Sequence, residues 1–397
     1  MKRTEINRAA GLSLIELLVA MAIGLVVTLA ITSVLIRSES SKRSSTSVND
    51  INQSGAYAAY VLDRVIRSAG SGFSQSWATT YGCLLTAANG GTTVLPLPAV
   101  IPTTSAFANV TVPIRLAPLI IGKDRADVTG QTRGDVLIVM AGTAGLGEAP
   151  QSVDQTALTP VTPSLLSLRT ALGYGKDDIV LLVNTSAPAN CAMDQIGAIV
   201  PTTPASAVPL SGSYHRDNSA AYGSDTFVRQ IGRDVSNPPD FKLYGVGPDS
   251  TFVSYDLLKP TPPDVQISDG IVEMRALYGI DSTAIADGVI DSWVDATGDY
   301  LDTVLTDGSP ASQIKLRQII AVRIGLILRT ALKEKAAANG SNAVVAVEGV
   351  NSATVDSRTL FGGADVSTFK RVRPDEAGYR FRTVEFTIPL RNVLLAQ

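Results

Sequence analysis

Glu16 is the charged residue whose position most demands a chemical reason. It is the one ionisable side chain in residues 12–36, LSLIELLVAMAIGLVVTLAITSVLI, a run without proline. A lone carboxylate at membrane depth costs about 2.5–3.5 kcal/mol or more, so it reads as a functional group in need of a partner. The second chemistry is that of thiols. Cys83 and Cys191 are the only cysteines, and they either form one bridge or remain two separate buried thiols. The third is an acidic run, Asp281, Asp287, Asp291, Asp295, Asp299 and Asp302, with Gly298 inside it. Calcium takes several oxygen ligands in a loop that glycine permits, but this spacing is not the 12-residue EF-hand pattern. Trp293 and Val294 interrupt the run, and Asp and Gly are equally the residues of plain turns. Asp291, Asp295 and Asp299 therefore stand as weak metal candidates against the expectation of a solvated loop and no metal.

Other catalytic chemistries find little support. The single histidine, His215, excludes His-rich metal sites and the HExxH arrangement. Its loop, Ser213-Tyr214-His215-Arg216-Asp217, has a triad's composition without a triad's separation, and His215 is expected to be solvated. Gly173-Tyr174-Gly175-Lys176 ends like a phosphate-binding loop, but Thr170 occupies the place of the required earlier glycine. No Walker A, GxSxG or CxxC pattern is found. The expectation is no enzyme and no cofactor. With 33 Lys+Arg against 36 Asp+Glu, net charge −3, a general nucleic-acid-coating protein is excluded. Arg317, Arg323, Arg329 and Lys333 form at most a local patch without interleaved aromatics, so no nucleic-acid partner is expected.

Three elements must position these residues. As a helix, residues 12–36 would extend roughly 37 Å, enough to cross a hydrocarbon core of about 30 Å. Lys2, Arg3 and Arg8 against Glu5 hold the first residues in the cytoplasm and put the rest outside it. A cleaved signal peptide would have a shorter apolar core with small residues after it. Here Ala9, Ala10 and Gly11 precede the run, which leaves an uncleaved signal anchor as the stronger ordinary account. Beyond Ile36 an apolar stripe continues at Val48, Ile51, Gly55, Ala58, Leu62, Val65 and Ala69, broadened by Val61 and Ile66, with Gly70-Ser71-Gly72 as a stop. This spacing predicts one helix from about 12 to 69. The alternative is a separate short helix behind a serine-rich joint (Ser38, Ser40, Ser41, Ser44, Ser45).

The remaining 73–397 predict a β-rich head. Strand-like runs stand at 136–140, 179–183, 227–231, 252–257, 322–328, 344–347 and 381–388, with Pro-, Thr-, Ser- and Gly-rich turns between them. In the run at 322–328, alternation with Arg323 and Arg329 predicts a partly polar second face. The fold class is α+β, a long N-terminal helix packed on a large antiparallel β-rich head. Both cysteines fall outside the cytoplasm in this orientation, which favours a bridge. It would close a loop of about 108 residues and contribute about 4–5 kcal/mol in the chain-entropy account.

The stretch Ala10-Gly11-Leu12-Ser13-Leu14-Ile15-Glu16-Leu17-Leu18-Val19-Ala20 closely resembles the leader of type IV pilins and type II secretion pseudopilins. Leu12 stands where that family usually has phenylalanine, and Ala10 where a basic residue often precedes the glycine. Islands at 53–58, 63–70, 82–83, 134–139, 269–281, 321–326 and 387–392 resemble the PilW family of minor pilins. The resemblance implies that a prepilin peptidase cuts after Gly11 and methylates the new amine on Leu12. That amine would lie four residues ahead of Glu16, and between staggered subunits it could pair with a neighbour's Glu16. It further implies a pilin-like fold divided as leader 1–11, span or fibre core 12–36, amphipathic half-helix 37–72 and head 73–397. The implied setting is the bacterial inner membrane with the head in the periplasm, then the pilus. The implied partners are other minor and major pilins and the inner-membrane assembly platform, with a role in initiating assembly at the tip. The alternatives are a J-type pseudopilin of type II secretion and an adhesin or ligand-binding module carried on the fibre.

Overall fold

The computed structural model describes residues 13–96, 101–110, 113–128, 131–144, 150–153, 165–168, 170–185, 190–198, 207–216, 225–283, 285–332, 360–361, 379 and 381–396. Gly11, Leu12, Lys333 and the strand expected at 344–347 lie outside them. The chain divides into two compact units, Met1–Asp50 and Ile51–Gln397.

Helix α1, Leu14–Ser68, is one element and contributes to both units. The serine-rich stretch is helical throughout, so the separate-helix alternative is not what forms. In the second unit its buried positions are Ile51, Gly55, Ala58, Leu62 and Ile66, and Ala69 just past its end continues the buried series. Those steps of 3 and 4 follow the 3.6-residue turn, so Ile66 takes the central place that a strict heptad would give Val65. Gly55 marks a close approach, since a Cβ there would lie 2.9 Å from Leu328 Cδ2 and 3.5 Å from Val384 Cγ2 and the leucine side chain would have to shift. Past the helix end, Gly70 adopts φ +78° and donates to the Met140 carbonyl at 2.8 Å. That left-handed turn is the usual glycine C-terminal stop.

The head strands begin with β1 (Leu84–Asn89), β2 (Thr92–Leu95), β3 (Leu119–Val128), β4 (Gln131–Ala141), β5 (Gln151–Ser152), β6 (Leu165–Ser167), β7 (Asp178–Asn184) and β8 (Asn190–Gln195). They continue as β9 (Ala207–Pro209), β10 (Thr226–Arg233), β11 (Asp240–Val246), β12 (Thr251–Asp256), β13 (Val265–Asp269), β14 (Ile271–Ile280), β15 (Ser292–Val294), β16 (Ile319–Arg329) and β17 (Phe381–Pro389). One sheet has the order β2-β1-β8-β7-β10-β5. The larger runs β13-β12-β11-β4-β14-β16-β17, with β15 on β14 and β3 on β4, and a small sheet pairs β6 with β9. Each large sheet contains one parallel pairing, β1 with β8 and β4 with β14, so the head is mixed rather than wholly antiparallel.

Strand period explains how the layers share residues. In β7, Ile179, Leu181 and Val183 enter the main core, while Val180 and Leu182 enter a second cluster with Leu166, Val208 and Val228. Alternate side chains of a strand point to opposite faces, so a continuous apolar run marks a strand covered on both. The same holds in β16, where Val322, Ile324, Leu326 and Leu328 face the main core. Its expected polar face is covered instead. Ile327 packs with Leu360, Phe361 and Phe381, and Arg323 and Arg329 lie over the rings of Phe361 and Tyr379 at 5.3 and 4.6 Å.

Candidate functional site

The N-terminal unit presents its chemistry at the start of α1. Ser13 precedes the helix and its hydroxyl accepts from the Glu16 amide at 3.3 Å. With Glu16 three residues later, Ser13-Leu14-Ile15-Glu16 has the sequence of a capping box. The Glu16 carboxylate itself finds no partner among the described residues. Around it the apolar side chains are bare, with exposures from 49% at Val27 to 78% at Leu14. The helix is long and apolar enough to cross a membrane by length and composition. Its hydroxyls are already satisfied: Thr28 and Thr32 donate to the carbonyls four residues back at 2.8 and 2.7 Å, and Ser33 to Ala30 at 2.7 Å. Such internal bonds let Ser and Thr sit in hydrocarbon. Glu16 has no equivalent and must find its partner elsewhere.

At the other end of the chain, residues 254–392 contribute β13 to β17 to the sheet on which the second half of α1 packs. β14 and β16 pair antiparallel from Ile271↔Leu328 to Ile280↔Ile319, and β16 and β17 pair through nine residues. Asn392 then reaches back, donating from Nδ2 to the carbonyls of Ser68 and Ala69, both at 3.1 Å. The last carbonyls of a helix have no partner within it, so the C-terminal segment caps α1.

The residues capable of processing chemistry and the sheet that receives α1 now stand in one chain. Residues 254–392 match the family model for the type IV pilus-assembly protein W, PilW. Residues 6–32 match the prokaryotic N-terminal methylation motif. Over those two stretches the chain is similar to the PilW family of pilus-assembly proteins. No curated protein and no solved structure matches it. The methylation motif implies processing by a prepilin peptidase, and the match to a pilus-assembly family implies pilin partners. An apolar N-terminal helix that carries this motif is consistent with a pilin anchored in the inner membrane.

In this PilW-like chain the two cysteines form one disulfide, Cys83–Cys191, with Cα atoms 5.7 Å apart. The bridge joins the start of β1 to β8 beside their parallel pairing, Leu84↔Asn190 and Leu85↔Cys191. The acidic run is dispersed. Asp281 accepts from the Thr283 hydroxyl and amide and from the amides of Asp287 and Gly288. The Thr283 hydroxyl bond, with the amide bonds adding to it, holds the Asp281 carboxyl below its ordinary range. Asp291 accepts from Ser282, Asp295 pairs with Lys123, and Asp299 pairs with Lys315 at 2.6 Å. Among the described residues no three His, Cys, Asp or Glu side chains converge as a metal site. His215 departs from the expectation of a solvated loop residue. It is only 14% exposed, and its Nδ1 lies 2.9 Å from Oδ1 of buried Asp194.

Composition did not reveal a buried ionic cluster where β4 meets β14. Arg275 faces three carboxylates: Glu273 at 2.8 Å, Asp124 at 2.5 Å and Asp135 at 3.2 Å. Asp135 also accepts from the amides of Asp124 and Ala276. Opposite charges at alternate positions of an otherwise apolar run, Glu273 and Arg275, were the available signal. Burial, outweighing the pull of Arg275, pushes the Asp135 carboxyl up to about 6. A carboxyl raised in the folded state favours its protonated form, so its ionised form is a stability cost above pH about 6 that is relieved below it. The thermal midpoint should therefore rise as pH falls from 7.5 to 5. Asp135→Asn should shrink that rise by about half, since Asp194, also pushed up to about 6 by burial, acts with the same sign. Thermal unfolding of both proteins at the two pH values checks this.

Proposed function

We propose that the chain is a minor prepilin that helps to initiate type IV pilus assembly at the tip of the fibre. In this reading the leader is removed after Gly11 and the Leu12 amine is methylated. Residues 12–36 hold the subunit in the inner membrane with the head in the periplasm, and Glu16 docks it into a bundle with other pilins above the assembly platform. The carrying observation is the pairing of a methylation motif at 6–32 with a PilW match at 254–392 on one chain. Bare apolar side chains along the first half of α1 support it, because a helix of that kind needs lipid or other helices around it. The size of the head, 73–397, supports a tip position, since so large a module fits poorly in a repeated lattice. The subunit acts structurally, not as an enzyme.

The intact mass of the membrane-extracted protein tests the reading. The expected product lacks residues 1–11 and carries one added methyl group. An intact leader, or a cut after residue 30, would sink the proposal.

A further inference from the structure

We propose that the head carries a glycan-binding groove between the outer flank of α1 and the open face of β11–β13. The groove holds about 590 Å³, within the roughly 300–1,000 Å³ of ligand sites. Its helical wall carries Tyr57 and Tyr60, 53% and 63% exposed, and Arg64 one turn further. Residues at i, i+3 and i+7 share one side of a helix, so the two rings and the guanidinium form one strip. Across from them stand Asp240 and Lys242 of β11, paired at 2.8 Å, and Gln266 of β13.

This lining matches a sugar better than the other occupants of such a groove. A pyranose has an apolar C–H face and a rim of hydroxyls that both donate and accept. Exposed tyrosine rings suit the first, since each offers an apolar body with a polar tip. Asp240, Gln266, Lys242 and Arg64 together supply acceptors and donors for the second. Arg64 and Lys242 against Asp240 leave a single net positive charge, too little to hold a polyanion, which favours a neutral saccharide. A helical peptide would need a continuous apolar stripe opposite its own, and the β11 wall is instead an ion pair. Strand addition at β13 is discouraged by Pro262 and Pro263 just before it and by its register shift against β12. The groove lies wholly within the unit Ile51–Gln397.

The test uses the full-length chain in lipid nanodiscs, with chitotetraose and cellotetraose as neutral probes and sialyllactose as an anionic one, followed by saturation-transfer NMR and titration. A neutral tetrasaccharide is expected to bind, and the double variant Tyr57→Ala/Tyr60→Ala to lose at least ten-fold in affinity. Its thermal midpoint should stay within about 2 °C because both rings are exposed. Lys242→Gln should weaken binding several-fold through the polar wall. No transfer above empty nanodiscs from either neutral probe would overturn the proposal. So would binding of sialyllactose alone, or binding that the tyrosine pair leaves unchanged. A change in self-association by mass photometry, without glycan binding, would assign the groove to contacts between copies and equally overturn it.

Discussion

Fibres made with Glu16→Ala are expected to contain at least ten-fold less of this subunit, while leader removal stays near the wild-type rate. The argument begins with solvation. Glu16 sits among side chains as bare as Leu14 and Leu17, and every hydroxyl that helix α1 places in the apolar run is bonded to its own backbone. The carboxylate alone is left to seek a partner. Processing after Gly11 would create one, the Leu12 amine, which a staggered neighbour can bring within reach. Removing one member of a buried pair costs about 3–5 kcal/mol, because the other charge stays buried alone. That corresponds to a factor on the order of 10²–10⁴ in docking, so a ten-fold loss is a conservative reading. The Ser13 cap offers a competing explanation, since the same residue is the third position of a capping box. Ser13→Ala separates the two, because it removes the cap, worth about 0.5–2 kcal/mol, and keeps the carboxylate. Quantifying both variants in sheared pili decides the matter. Wild-type incorporation of Glu16→Ala would make the charge incidental, and an equal loss in Ser13→Ala would assign the effect to helix initiation.

Legibility in the sequence followed the range of the interactions. The stripe from Ile51 to Ala69 could be read because helical burial repeats locally, and Gly70 announced the stop. β16 could be read for the same reason at period two. β14 was not among the runs read as strands, because Glu273 and Arg275 interrupt its apolar residues, and Asp135, the partner of Arg275, comes from a strand more than a hundred residues earlier. His215 failed in the same way: its loop reads as solvated until Asp194 on β8 is brought beneath it. Asn392 as the cap of α1 could not be inferred at all, since the contact spans over 300 residues. The acidic run shows the converse. Proximity in sequence suggested a shared ligand, yet Asp291, Asp295 and Asp299 each turn to a different neighbour. The disulfide was the favoured reading of the sequence, because only two cysteines are present and the expected orientation puts both outside the cytoplasm, although two separate thiols stood as the alternative.

That pairing carries the second large effect. Replacing Cys83 and Cys191 together by serine is expected to lower the thermal midpoint of the full-length protein by roughly 8–20 °C. The bridge spans 108 positions, and in the chain-entropy account its loss returns about 4–5 kcal/mol of freedom to the unfolded chain. For a large unit each kcal/mol moves the midpoint by about 2–4 °C. Position sharpens the expectation. β1 and β2 lie at the margin of the six-stranded sheet, and β1 is held to β8 by three parallel pairs, Leu84↔Asn190 to Thr86↔Ala192. Both sulfur-bearing residues are buried in the main core, so serine also places two hydroxyls where thiols had packed. The first consequence should appear locally, as protease cleavage near Gly90-Gly91 in the hairpin between β1 and β2, before global unfolding. Reduction of the wild-type protein should reproduce the fall without changing either side chain. A midpoint within about 2 °C of wild type in both experiments would show that the β1–β8 pairing and the core around it hold this margin unaided.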